Sequence, residues 1–180
     1  MTNSGANSQS GTFYANNGGG EPAAGGAAVY QNHLRLRSET VGGKTVDPRM
    51  KAQFVTFTFS QPVTGLSFFI RDIDRDDKLK VGDTENVGFR DQVYLVDSPT
   101  PTRVTLGSGL QGSGTASQPW ETQAKNQGNQ MAGSLNYDVG LEWSGPLTSV
   151  TIAYKQGTPT YNAFPTVWIS PLRFSGPGCS

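Results

Sequence analysis

The densest group of residues able to do chemistry is an acidic run that directly follows a strongly hydrophobic segment. The run reads IRDIDRDDKLKVGD, and its aspartates are Asp72, Asp74, Asp76, Asp77 and Asp83. The D-x-D-x-D spacing brings three carboxylates within reach of one hard cation if the chain turns there. These residues are therefore candidate metal ligands, and Ca²⁺ is the candidate cofactor.

The same run supports a second interpretation, in which the acids are paired internally. Asp83 is the twelfth residue counted from Asp72, as in an EF-hand loop, but that loop requires Gly at position six and Glu at position twelve. Here those positions hold Asp77 and Asp83. The aspartates can instead form ion pairs with nearby basic side chains, which are Arg71, Arg75, Lys78 and Lys80. Because unpaired carboxylates at the end of a buried strand are costly, Asp72 and Asp74 need a metal cation, an arginine or backbone donors.

Two aromatic residues in predicted loops form the other candidate site. Trp120 and Tyr161 lie in Gly-, Ser- and Pro-rich segments. Exposed Trp and Tyr offer a flat apolar face with a polar edge, which suits a sugar or a protein ligand. The alternative for Trp120 is that it anchors its loop by packing against the edge of the domain.

Residues for catalysis are few. The chain has one histidine, His33, and one cysteine, Cys179, which is the penultimate residue. The chain therefore has too few suitable residues for a Ser-His-Asp triad or a zinc site. Of the glutamates, only Glu142 falls in a predicted strand, so the paired carboxylates of a glycosidase are missing. We predict a non-catalytic protein, with a polysaccharide-active enzyme as the most distant alternative.

The elements that position these residues are predicted to be strands. Apolar residues alternate with polar ones in segment after segment, and no long helical pattern separates them. This pattern predicts an all-β fold, an antiparallel β-sandwich of jelly-roll type. Residues 1–27 read as a flexible leader or linker, 28–175 as the domain and 176–180 as a tail. A long loop is predicted over 107–133.

Charge excludes one class of partner. Fourteen basic residues are balanced by fourteen acidic ones, for a formal net charge of +0. Nucleic-acid binding needs clustered Lys and Arg, so no nucleic-acid partner is expected. No apolar stretch reaches the length of a membrane-spanning helix, so no membrane insertion is expected either.

Three segments together resemble a known type of module. They are QFVTFTFSQPVTGLSFFIRDIDRDD, DQVYL and LEWSGPLTSVTIAYKQGTP with ISPLRFS. This arrangement resembles a β-sandwich module of large secreted or wall-anchored bacterial surface proteins, in which the first segment forms a hairpin. The resemblance puts Asp72, Asp74 and Asp91 on the family's acidic positions, which adds Asp91 to the candidate metal ligands.

The resemblance implies an extracellular location, on a bacterial cell surface or secreted. It favours an adhesin-like module whose loops bind a glycan or a protein on a target surface. Calcium as a stabilising ion is implied by the spacing of the acidic run alone. The alternative is a structural spacer or assembly module of a fibre or surface layer, whose partners are the neighbouring domains of the same chain.

Overall fold

The structure is a computed structural model, and it describes residues 12–17, 28–30, 33–37, 52–76, 89–123, 135–157 and 166–176. Strands make up nearly all the regular structure of this part of the chain. They are β1 (Thr12–Asn17), β2 (Ala28–Tyr30), β3 (His33–Arg37), β4 (Gln53–Arg71), β5 (Arg75–Asp76), β6 (Phe89–Val96), β7 (Arg103–Leu106), β8 (Leu110–Gln111), β9 (Glu121–Thr122), β10 (Val139–Trp143), β11 (Leu147–Gln156), β12 (Thr166–Ile169) and β13 (Arg173–Ser175). A single turn of 3₁₀ helix, Leu135–Tyr137, precedes β10. All strand pairs are antiparallel, which confirms the all-β antiparallel prediction.

The long strand β4 organises the fold. Its first half pairs with β1 on one side and β11 on the other, while its second half pairs with β10 on one side and with β12 and β13 on the other. Beyond these neighbours, β11 continues to β6 and β5, β10 to β7, and β12 to β3 and β2. The result is one curled sheet in which β4 belongs to both halves. The jelly-roll topology stays a prediction.

The hairpin that the resemblance implies for this segment, with two strands joined by a turn, is wrong. Residues 53–71 form one strand of 19 residues. Its buried residues have odd numbers up to Val63 and even numbers from Leu66 onward. Gly65 lies between them with a φ of 61°, a left-handed conformation that glycine adopts without steric cost. The glycine shifts the alternation by one residue while the strand continues, so the "turn" residues mark a change of face.

The core lies between the inward faces of the two halves. Phe68 of β4 stacks on Trp143 of β10, with 5.6 Å between ring centroids, and lies 5.9 Å from Phe57. The Trp143 indole N–H donates a hydrogen bond of 2.7 Å to the carbonyl oxygen of Pro99, so its polar atom is satisfied despite burial. Burial of these rings supplies the main driving force for joining the two halves.

Three further segments differ from the sequence analysis. β1 lies inside the segment assigned to a leader, because its backbone adds to the open edge of the first half of β4. The predicted 107–133 loop contains the short pair β8 and β9 within its described part. The ISPLRFS segment belongs to two strands, since β12 ends at Ile169 and β13 begins at Arg173.

Candidate functional site

Three of the predicted metal ligands lie inside the fold. Asp72 and Asp74 directly follow β4, Asp91 is in β6, and all three are buried. Asp76 lies in β5. Asp77 and Asp83 lie outside the described residues. The structure therefore brings the acidic end of β4 against β6.

Asp91 joins these two segments through hydrogen bonds. Its backbone N–H donates to the carbonyl oxygen of Asp74 at 3.0 Å, and the backbone N–H of Asp74 donates to its Oδ2 at 3.4 Å. The Tyr154 hydroxyl of β11 donates to Oδ1 at 2.7 Å. Burial, and then the Asp91 carboxylate, raise the pKa of Tyr154 well above its ordinary value. Asp91 is thus held as an acceptor by a phenol that stays protonated.

Asp72 is the strained member of the group. It has a φ of 66°, and its Oδ1 is buried without a hydrogen-bond partner among the described residues. Burial raises the pKa of Asp72 to about 7, and the neighbouring charges of Asp74 and Asp138 act in the same direction. A hydrogen bond with the Trp168 side chain opposes this rise in pKa. Asp72 is consequently a carboxyl group that titrates near neutrality.

Within the described residues, no three Asp, Glu, His or Cys side chains are grouped so that they could share one metal ion. The internal-pairing alternative also needs revision, since Asp91 is held by Tyr154 and by backbone, and Arg71 pairs at 3.7 Å with Asp138, which the sequence analysis did not select. Calcium binding stays a prediction.

Trp120 is not exposed, so the prediction of an open aromatic face at this position is wrong. The residue is buried, with only 2 % of its surface accessible. Its backbone exchanges hydrogen bonds of 2.8 and 3.0 Å with Val93 of β6, and a Cβ placed on Gly114 would overlap its indole. Trp120 therefore anchors its loop to the domain, as the alternative proposed. Tyr161 lies outside the described residues.

The structure presents a groove that the sequence analysis missed. It is about 520 Å³ in volume and lies on the outer face of the half formed by β7, β10, the second half of β4 and the segment leading into β13. Its side chains include the outward residues of β4, which alternate with the buried Leu66, Phe68 and Ile70. The groove is lined by Ser67, Phe68, Phe69, Arg71, Arg103, Thr105, Gly140, Leu141, Glu142, Ser170, Pro171 and Arg173.

Phe69 provides the aromatic surface of this groove. It is 38 % exposed and lies directly opposite Gly140 in the β4–β10 ladder. A Cβ on Gly140 would lie 2.8 Å from the Phe69 ring, so the glycine leaves room for the ring to lie across β10. The Arg71 guanidinium lies 5.4 Å from the ring centroid, within the range of a cation–π contact.

The rim beside Phe69 is fixed by paired hydrogen bonds. The backbone N–H of Phe69 donates to the Ser170 hydroxyl at 2.9 Å, and the backbone N–H of Ser170 donates to the Phe69 carbonyl oxygen at 2.9 Å. Ser170 itself is buried. This double contact holds the end of β12 against β4 and preorganises one wall of the groove.

Charged residues surround the aromatic surface. Arg103 lies 4.0 Å from Glu142 across the β7–β10 pair, and Arg71 pairs with the buried Asp138 behind the groove. Arg173, in β13, has no ion-pair partner among the described residues. Three arginines and one glutamate line the groove, so its electrostatic balance is positive.

No protein-family model, curated protein or solved structure matches this chain. Its functional chemistry is therefore judged from its own side chains. Across the described residues, no helix has both the length and the apolar character needed to span a membrane.

Two sequence signals could have pointed to the groove. Phe69 breaks the alternation of LSFFIR as an apolar residue on the polar face, and Gly140 falls inside the alternating segment LNYDVGLEW. A glycine inside a strand often marks a close approach by another group. The pairing of these two positions was not visible in the sequence because they lie 71 residues apart and their register depends on the assembled sheet.

Proposed function

We propose that this domain is a non-catalytic binding module that holds a saccharide in the groove around Phe69. The observation that carries the proposal is the partly exposed ring of Phe69 in a groove of about 520 Å³ that has polar side chains at its rim. Ligand sites combine an apolar surface with a few fixed polar groups in a concavity of this order. The groove replaces the Trp120 loop as the binding surface.

The residue types around Phe69 favour a sugar. A pyranose ring has a C–H face that packs on an aromatic ring and equatorial hydroxyls that bond with charged and polar side chains. Arg71, Arg103 and Glu142 provide such donors and acceptors beside the ring. An adhesin-like role at a bacterial surface, as the sequence resemblance implies, is part of the same proposal.

The composition of the groove supports binding over turnover. Glu142 is the one carboxylate among the residues that line the groove, and it is paired with Arg103. Hydrolysis of a glycosidic bond by the common mechanism uses two carboxyl groups on either side of the bond. We therefore propose recognition without hydrolysis.

The test is a glycan array followed by isothermal titration calorimetry with the best ligand. Phe69→Ala should weaken binding roughly tenfold or more, as expected for an aromatic residue at the centre of a binding surface. Leu135→Ala is the matched control, since Leu135 is an exposed apolar residue that does not line the groove. It should leave the affinity unchanged.

Two results would contradict the proposal. If no glycan binds, or if Phe69→Ala binds as well as the wild type, the groove is not a saccharide site, and the spacer role becomes the better account. If the protein shortens the bound polysaccharide and Glu142→Gln stops this, the module is an enzyme.

A further inference from the structure

We infer that the groove selects acidic saccharides, whose sugar units carry carboxylate or sulfate groups. This inference rests on the proposed saccharide site and adds the ligand's charge to it.

The side chains that line the groove carry a positive balance of charge. Arg71 is paired with Asp138, and Arg103 with Glu142, whereas Arg173 has no ion-pair partner among the described residues. The Arg103–Glu142 contact is long and exposed at 4.0 Å, so it is weak and can exchange for a ligand anion. A neutral sugar would leave the Arg173 guanidinium without a counter-charge, while an acidic sugar would supply one.

The register of four neighbouring strands places two of these arginines in one row. One row across the sheet runs from Arg103 to Glu142, Ser67 and Arg173, because these residues are successive partners on β7, β10, β4 and β13. Neighbouring strands are about 4.8 Å apart, so the backbones of the two arginines are separated by roughly 14 Å. The groove therefore has a guanidinium at each end of one row.

The adjacent row supplies the apolar floor. Thr105, Gly140 and Phe69 are successive partners on β7, β10 and β4, two residues further along each strand than the first row. The Phe69 ring thus lies beside the row that ends in two arginines. An acidic sugar unit has the matching arrangement, with an apolar C–H face and a charged group at its edge.

The position of the strands under Phe69 favours a saccharide over an acidic peptide. An extended peptide binds a sheet most readily by adding to an edge, where backbone groups are free. The strands under Phe69 are not edges, because β10 lies between β4 and β7, and β4 lies between β10 and β13. The groove floor consequently offers side chains in place of unpaired backbone, which suits a ligand recognised through its hydroxyl and acid groups.

The experiment uses polysaccharide pairs that share a sugar backbone and differ in the presence of acidic groups. Polygalacturonate is compared with its methyl ester, and dextran sulfate with dextran, by calorimetry on the full chain. We expect at least one acidic member to bind and its neutral partner to bind much more weakly. The two acidic probes separate a preference for carboxylate from a preference for sulfate.

Variants locate the effect. Arg173→Gln and Arg103→Gln should each weaken binding of the acidic probe by about tenfold, the loss expected for one charge-assisted hydrogen bond. Lys155→Gln is the matched control, because it removes the same charge from β11, away from the groove. It should change the affinity by less than about twofold, since distant charges are screened. Circular dichroism and the melting temperature report whether each variant is folded.

The outcomes separate this inference from the proposal beneath it. If neutral and acidic members bind equally and Phe69→Ala abolishes both, the saccharide site stands and the selection for acid is wrong. If poly-glutamate binds as tightly as the acidic polysaccharides, the groove recognises charge without a sugar, and the inference fails. If Lys155→Gln weakens binding as much as Arg173→Gln, the attraction is a general charge effect, and the inference fails as well.

Discussion

At the scale of single residues, Asp72 links the acidic end of β4 to the stability of the fold. Its carboxyl group is buried, its backbone is left-handed, and its pKa is raised from 3.8 to about 7. The folded state therefore favours the protonated form. This contribution to stability is fully present below the unfolded pKa and is lost as the pH rises through about 7.

We predict that Asp72→Asn removes this pH dependence. Asparagine tolerates the left-handed conformation and remains uncharged, so it mimics the protonated acid. Between pH 5 and pH 8 the wild type should lose roughly 2–3 kcal/mol of unfolding free energy more than the variant, at about 1.4 kcal/mol per pKa unit. Urea denaturation at the two pH values measures both proteins.

The control for this prediction is Asp97→Asn. Asp97 is also an aspartate with a positive φ, of 45°, but it is exposed at the end of β6. This variant should keep the wild-type pH dependence. An Asp72→Asn protein that loses as much stability as the wild type between pH 5 and pH 8 would show that Asp72 is ionised throughout that range.

At the scale of elements, alternation predicted the strands well and their ends poorly. β6, β10 and β11 lie where Val, Leu and Ile alternate with polar residues. The split of β4 failed because Pro and Gly in SQPVTG also mark turns. Only tertiary pairing, such as Leu147 with Val63 and Ser175 with Thr64, reveals that the chain runs on as one strand.

Gly65 tests this explanation of β4. A Cβ at this position would meet no atom within 4 Å, so Gly65→Ala introduces backbone strain without a clash. We predict a loss of about 1–2 kcal/mol in unfolding free energy, the cost of a left-handed conformation for an L-residue. Urea unfolding monitored by tryptophan fluorescence measures it.

Gly145→Ala is the matched control for Gly65→Ala. Gly145 also has open space around its Cα, and its φ is not positive. Its replacement should change stability by no more than about 0.5 kcal/mol, as for most surface substitutions. Equal losses at both glycines would mean that the left-handed φ of Gly65 does not explain the change of face in β4.

At the scale of the whole molecule, the sequence predicted the fold class but not the sites. The candidate residues come together through long-range pairing, which local patterns do not encode. Phe69 meets Gly140, and Asp91 meets both Asp74 and Tyr154, only after strands distant in the sequence have paired. Trp120 looked like a loop aromatic because its burial depends on contacts with β6 and Gly114.

Stabilisation of the fold by calcium should depend on pH. Asp72 must be ionised to act as a ligand, and burial keeps it protonated up to a pH of about 7. If the acidic run binds Ca²⁺, the ion should raise the melting temperature by several degrees at pH 8, because a ligand specific to the folded state stabilises it by mass action. The increase in melting temperature should be smaller at pH 5, where Asp72 is protonated. It should also be smaller at pH 8 in Asp72→Asn.

Differential scanning calorimetry in CaCl₂ and in chelator, at both pH values, measures this stabilisation. Sodium chloride at matched ionic strength separates specific binding from the screening of the Asp74 and Asp138 charges, which raise the pKa of Asp72. Equal melting temperatures in calcium and chelator at pH 8 would rule out the metal site. Asp72 would then be a buried acid held by Trp168 and tolerated because it can take up a proton.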